Sequence, residues 1–216
     1  MTLTFKTPTQ NARILSVGAY RPERVVPNSE LVDRIESSDE WIQQRTGIQT
    51  RHWAREDESV TDMAVAAAQI AIARAGIKAQ EIDTIIFATI TYPYQTPSAS
   101  TEVAQRLEIK GAAAFDVGAA CAGFSYSLGL ANDMIRSGSA KYVLVIGGEK
   151  ISDFLDLDDR ATSFIFADGA GAVIVGPSDT VGIGPTWLGW SNPMTISRRV
   201  LLPLPVRPMK PMRQPC

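Results

Sequence analysis

The stretch that decides how this chain is read is Ala114-Phe115-Asp116-Val117-Gly118-Ala119-Ala120-Cys121-Ala122-Gly123-Phe124. A short strand-like run passes through a turn of small residues into a helical pattern that continues to Ser137 and stops at Gly138. A thiol at such a junction faces backbone N–H groups with no intrahelical partner and the positive end of the helix dipole, and both favour thiolate over thiol. Gly118, Ala119, Ala120, Ala122 and Gly123 leave room for a substrate, and the Cys121 N–H can act as an oxyanion donor. Cysteine is also among the most commonly buried residue types, so the pattern alone favours an inert core thiol.

Outward from this stretch, short apolar runs alternate with helical patterns from Ala12 to about Pro185, the rhythm of a layered α/β fold. Strands are predicted at 14–19, 82–91, 113–118, 142–147 and 171–175. Ile85-Ile86-Phe87-Ala88 and Val143-Leu144-Val145-Ile146 lack in/out alternation, so these strands are expected to be covered on both faces. Ser37 and Glu40 stand at capping-box spacing, which predicts a short helix starting there and ending by Gly47. Ser59 or Thr61 caps a predicted helix over 63–75, closed by Gly76. The third predicted helix covers 121–137, and its small residues imply close burial on more than one side.

The chain has 216 residues, 45% hydrophobic and 20% charged, with net charge −2, a composition that excludes charge-driven disorder. With pI near 5.5 and no basic stripe interleaved with aromatics before residue 190, nucleic acid is excluded as an expected partner. Two cysteines, Cys121 and Cys216, provide no disulfide framework, which points to a reducing cytoplasm. The segment 1–11 has no apolar signal-like core and no apolar run is long enough for a bilayer, so neither secretion nor a membrane is expected. No Gly-x-Gly-x-x-Gly, Walker loop, Gly-x-Ser-x-Gly elbow or Cys/His metal spacing occurs, and no metal or resident cofactor is expected. Gly169-Ala170-Gly171 precedes a strand rather than a helix, which favours tight packing over phosphate binding.

The composition breaks near residue 187. Pro193, Pro203, Pro205, Pro208, Pro211 and Pro215 are six of the chain's thirteen prolines, and from Thr180 onward there is no acidic residue. That density is incompatible with a helix or central strand. The expected division is therefore 12–186 as the folded unit and 187–216 as a Pro-rich basic tail, either disordered or not the native continuation of the domain.

The string Asp116-Val117-Gly118-Ala119-Ala120-Cys121-Ala122-Gly123-Phe124 resembles the nucleophile motif of the β-ketoacyl-ACP synthase III family. The likeness extends through Ser38-Asp39-Glu40-Trp41-Ile42, Arg45-Thr46-Gly47-Ile48, Asp159-Arg160-Ala161-Thr162 and Phe166-Ala167-Asp168-Gly169-Ala170-Gly171-Ala172. It implies a thiolase-like layered αβαβα fold, of which this sequence covers essentially the N-terminal half. It also implies an acyltransferase that takes an acyl group from acyl-CoA onto Cys121, then condenses it with malonyl-ACP to initiate fatty acid synthesis.

Carried over by resemblance, Trp41 and Arg160 clamp the adenine of coenzyme A, Arg45 meets its phosphates and Ser37 offers the adenine a hydroxyl. Arg stacks on aromatic faces as well as pairing charge, which suits such a clamp. Without the family, a helix anchor for Trp41 and solvated surface arginines remain the plainer readings. Phe166 falls where the family lines its acyl pocket, and Thr96, in the loop 92–97 that in the family reaches across the dimer interface, stands where short-chain members carry a bulky aromatic. A small hydroxyl there implies longer primers than acetyl. Acyl carrier protein is the implied partner, and a homodimer through the strand near 110–117 the implied assembly.

The family's catalytic histidine and asparagine lie in its second half, and no residue here matches them. His52, the only histidine, reads as an ordinary residue of a polar connection, and Asn192 matches no motif. The 216 residues alone are thus expected to acylate slowly but condense poorly, and to expose an apolar face of the Cys121 helix. Two other readings stay open: a related acyltransferase of polyketide or specialised lipid synthesis, and a noncatalytic coenzyme A-binding remnant.

Overall fold

A computed structural model describes residues 10–180 together with 182 and 183. The expected tail at 187–216, with Asn192 and Cys216, lies outside the described residues. In chain order the elements are β1 (Asn11–Tyr20), β2 (Arg24–Pro27), α1 (Asp39–Thr46), β3 (Thr50–Trp53), α2 (Val60–Ala75), β4 (Thr84–Ala88), α3 (Ala99–Arg106), β5 (Ala113–Val117), α4 (Gly123–Ser137), β6 (Val143–Glu149) and β7 (Gly169–Ser178). Among the described residues no helix is long and apolar enough to cross a membrane.

Five strands form one mixed sheet in the order β1-β7-β6-β4-β5, while β2 and β3 pair separately. Strands β6, β4 and β5 run parallel, and β7 and β1 are added antiparallel on the far side. The sheet is covered on both faces, as the uninterrupted apolar runs require. On one face Ile85, Phe87, Leu144, Ile146 and Ile174 pack with α2 and α3; on the other, Ile86, Val143, Val145, Val173 and Val175 pack with Ala131 and Ile135 of α4. Period-2 alternation thus exists inside these runs, but it divides one apolar layer from another. A smaller cluster of Val26, Leu31, Ile35, Ile42, Trp53 and Phe164 joins α1 to the β2–β3 ribbon.

The α2 ends follow the expected chemistry. Ser59 accepts from the Asp62 N–H and Asp62 returns a bond to the Ser59 N–H, while Gly76 closes the helix in the left-handed region at φ 68°. At α1 the cap moves by one residue: Ser38, not Ser37, is the cap, and with extended backbone it accepts from the Trp41 N–H at 3.2 Å. The strand expected over 82–91 is shorter, because after Ala88 the Ile90 N–H turns toward the Glu149 carboxylate and the Thr91 N–H toward the Thr89 hydroxyl instead of a neighbouring strand. His52 lies in β3 opposite Val25 rather than in a loop, with its ring nitrogen 2.6 Å from the Pro22 carbonyl.

The helix after Cys121 also departs from expectation. A 3-10 turn at Ala120–Ala122 comes first, and α4 proper begins at Gly123. Small residues serve close approach on one side only: a Cβ on Gly123 would sit 2.9 Å from the Ala88 Cβ. Elsewhere on the helix Phe124 and Tyr126 are 37% and 47% accessible, so α4 is not closely buried all round.

Candidate active site

Parallel strands β4, β5 and β6 end side by side, with Ala88 in register with Val117 and with Gly147. Ligand sites of α/β sheets form at such carboxyl ends, where loops diverge and helix N-termini converge. Cys121 stands there, four residues beyond the end of β5. It is a free thiol and exposed among the described residues. Ala120 immediately before it has φ 45°, in the left-handed region that side chains disfavour, and this reversal turns the chain from the strand into the helix. No side chain caps the start of α4, so its first N–H groups are not engaged by a side-chain acceptor. Phe124 lies over Gly147 of β6 and Gly123 against Ala88 of β4, fixing the turn to the sheet on both sides.

A second cluster gathers three of the expected residues. Trp41 and Arg45 share one face of α1 by their spacing of four, and the Arg45 guanidinium carbon lies 4.4 Å from the Trp41 ring centroid. Arg160 arrives from a distant turn and lies 5.0 Å from the same centroid. Asp159 pins that turn by accepting from the Thr162 hydroxyl and, at 2.8 Å, from the Ala161 N–H. Those bonds, Thr162 first, hold the Asp159 carboxyl below the usual carboxylate range. Phe164 meets Trp41 edge-on with centroids 5.5 Å apart. A ring inserted between Trp41 and Arg160 needs two stacking distances, roughly 7 Å, so the guanidinium must move outward by about 2 Å to admit one. Ser37 lies just before α1, and its hydroxyl oxygen is buried without a hydrogen-bond partner.

Thr96 is exposed in the segment between β4 and α3, and that segment is anchored at both ends. Glu149 accepts from the Ile90 N–H and the Thr89 and Thr91 hydroxyls at the start, while Tyr92 donates to Glu102 at 2.9 Å. At the far end Asp116 accepts from the N–H groups of Ala99 and Ser100 at 2.8 and 2.9 Å. Burial first, then the bond to Glu102, pushes the Tyr92 phenol up to about 12. Phe166 is 41% exposed, with its carbonyl accepting from the Trp53 indole N–H at 3.2 Å.

Sequence reasoning gave no role to Asp168, yet its buried carboxylate joins three segments. It accepts from the Ala54 N–H at 2.8 Å, the Ser152 N–H at 2.9 Å and the Ser152 hydroxyl at 2.5 Å, and its own N–H donates to the His52 carbonyl at 2.9 Å. Phe166 and the Arg160 turn are thereby tied to the end of β3. Phe164 was missed too, although its place two residues before Phe166 was the available signal. Lys150 is also buried, donating to the Arg55 and Glu56 carbonyls at 3.0 and 3.3 Å.

Comparison with known proteins relates this geometry to a family. The 3-oxoacyl-[acyl-carrier-protein] synthase III family profile matches residues 115–190. The β-ketoacyl-[acyl-carrier-protein] synthase III of Streptomyces glaucescens is 57% identical over 178 residues, covering 82% of this chain and 54% of the relative. The mycobacterial β-ketoacyl-[acyl-carrier-protein] synthase III of Mycolicibacterium paratuberculosis is 54% identical over 179 residues, covering 83% of this chain and 53% of the relative. Among solved structures, the priming β-ketosynthase of the R1128 polyketide pathway aligns with TM-score 0.80 and 45% identity over 84% of this chain and 55% of that one. The 3-oxoacyl-[acyl-carrier-protein] synthase III of Aquifex aeolicus aligns with TM-score 0.76 and 46% identity over 78% of this chain and 55% of that one. The chain spans about half the length of the curated relatives it matches. With the Cys121 turn at the carboxyl ends of three parallel strands and this agreement in sequence and fold, the chain matches the N-terminal portion of β-ketoacyl-ACP synthase III family members.

Proposed function

We propose that this chain supplies the acyl-accepting half of a β-ketoacyl-ACP synthase III that initiates fatty acid synthesis. The observation that carries the reading is the exposed Cys121 thiol at the mouth of the parallel sheet. In the first step its sulfur attacks an acyl-CoA carbonyl, forms the Cys121 thioester and expels coenzyme A as its thiol. In the second, malonyl-ACP loses carbon dioxide, and the resulting carbanion attacks the thioester carbonyl. The Cys121–acyl bond breaks, giving β-ketoacyl-ACP and, after protonation, the free thiol.

Trp41, Arg45 and Arg160 hold the coenzyme A end, with the Trp41 ring stacking on the adenine and the arginines supplying stacking and phosphate charge. Ser37 supplies a hydroxyl beside them. Phe166 and Thr96 line the acyl chain, and Thr96 leaves space for primers longer than acetyl. Acyl carrier protein delivers the malonyl group. The edge position of β5, half-covered and unpaired on its outer side among the described residues, supports pairing with a second copy. Two cysteines with no disulfide framework support a reducing, cytoplasmic setting.

The curated relatives named β-ketoacyl-ACP synthase III, at 57% and 54% identity, support fatty acid initiation, while the solved polyketide priming enzyme and the Aquifex aeolicus synthase III stand level at 45% and 46%. No described residue matches the histidine and asparagine implied for condensation, so the 216 residues alone are expected to release coenzyme A without forming much β-ketoacyl-ACP. Chromatography of acyl-CoA, malonyl-ACP and chain mixtures tests this. Stoichiometric coenzyme A release supports the reading; no release refutes acyl acceptance, and rapid β-ketoacyl-ACP turnover refutes the division of labour.

A further inference from the structure

Glu149 closes strand β6 and does no chemistry in the reaction just described, yet its carboxylate takes up the whole start of the neighbouring loop. One oxygen accepts from the Thr91 hydroxyl at 2.6 Å and the Thr89 hydroxyl at 3.1 Å, and both oxygens lie 3.1 Å from the Ile90 nitrogen. The Thr91 hydroxyl in turn accepts from the Lys150 N–H at 2.9 Å, closing a ring of bonds between the ends of β4 and β6. Thr89 and Thr91 are buried, 7% and 4% accessible, so these hydroxyls have little water to replace the carboxylate.

The clamp begins one residue beyond the place where β4 meets the Cys121 turn. Thr89 follows Ala88, whose Cβ would be 2.9 Å from a Cβ on Gly123, two residues after the thiol. Beyond Thr91 the loop leads through Tyr92 to Thr96, and residues 93–97 are exposed. The carboxylate therefore fixes the direction in which the chain leaves β4, next to the strand residue that meets the Cys121 turn. Charge-assisted bonds to one backbone N–H and two hydroxyls hold a wall more stiffly than neutral ones.

We propose that Glu149 is a positioning residue which, through Thr89–Thr91, sets the shape of the acyl cavity beside Cys121 and so its discrimination of chain length. The proposal rests on the reading of Cys121 as acyl acceptor, but its test does not need acyl transfer. The full chain and its Glu149→Gln and Glu149→Ala variants are alkylated separately with iodoacetamide and with N-octylmaleimide. Rates are followed on the Cys121 peptide by mass spectrometry, so that Cys216 does not contribute. Both variants are expected to change the octyl-to-small rate ratio at least fivefold, with Glu149→Asp restoring part of it; a general loosening would move both reagents together. An unchanged ratio overturns the proposal. In the unaltered chain, hydrogen exchange must show the Ile90 amide strongly protected, and rapid exchange there overturns it even where a variant does not fold. A chain that takes no acyl group from acyl-CoA defeats the functional reading instead, and leaves this ratio to be judged alone.

Discussion

The Arg160 guanidinium carbon lies 5.0 Å from the Trp41 ring centroid, although 119 positions separate the two residues in the chain. Together with Arg45 at 4.4 Å, this makes one aromatic face bearing two cations, closed more tightly than a stacked base would allow. Trp41→Ala is expected to raise the acyl-CoA concentration that half-saturates Cys121 acylation several-fold, because each cation–π contact is worth about 0.5–1 kcal/mol at an exposed site. Arg160→Ala should weaken binding by a smaller factor. Alkylation of Cys121 by iodoacetamide should be the same in both variants and in the unaltered chain. The single-turnover rate of Cys121 acylation against acyl-CoA concentration, followed beside the alkylation, checks the split.

Thr96 governs primer length in this account. Thr96→Phe should lower acyl transfer from long-chain acyl-CoA at least tenfold while sparing acetyl-CoA, since a ring replaces a small hydroxyl at the cavity wall. A chain-length series of acyl-CoA substrates reads this directly, and an unchanged profile removes the assignment.

Asp168 is a stability residue for the segment that carries Arg160 and Phe166. Asp168→Ala leaves the Ala54 and Ser152 N–H groups without their acceptor and is expected to cost about 3 kcal/mol. Asp168→Asn, which keeps one acceptor oxygen, should cost about half as much. Urea unfolding of the three proteins measures both.

Tyr92 makes stability fall at high pH. Its phenol is pushed up to about 12, above its ordinary value near 10, so the folded state favours the neutral form. The contribution is complete below about pH 10 and is lost as pH climbs toward 12. Tyr92→Phe should abolish that part of the pH dependence, and ultraviolet titration should lose one late-ionising phenol.

How much of this was legible in the sequence depended on range. The runs Ile85–Ala88 and Val143–Ile146 announced buried strands because every residue meets apolar neighbours on one face or the other. Gly47 and Gly76 marked helix ends, and both occupy the left-handed region those ends require. The α1 start was misread by one residue because Ser37 and Ser38 are chemically equal, and only backbone geometry decides which is the cap. Strand β3, four residues long, is too short to show a period, so His52 looked like a loop residue. The Trp41, Arg45 and Arg160 grouping came from resemblance alone, since no local signal links α1 to a turn over a hundred residues away. The same distance hid the partnership of Asp168 with Ala54. Similarly, β4 was drawn too long because nothing near Ile90 reveals that its N–H belongs to Glu149.

The central claim concerns the sulfur of Cys121, and intact-protein mass spectrometry after incubation with acyl-CoA addresses it most directly. The account predicts a mass increase of one acyl group, mapped to the peptide containing Cys121, removed by hydroxylamine and absent in Cys121→Ala. A chain that stays unmodified, or one that is acylated equally well after Cys121→Ala, would contradict it.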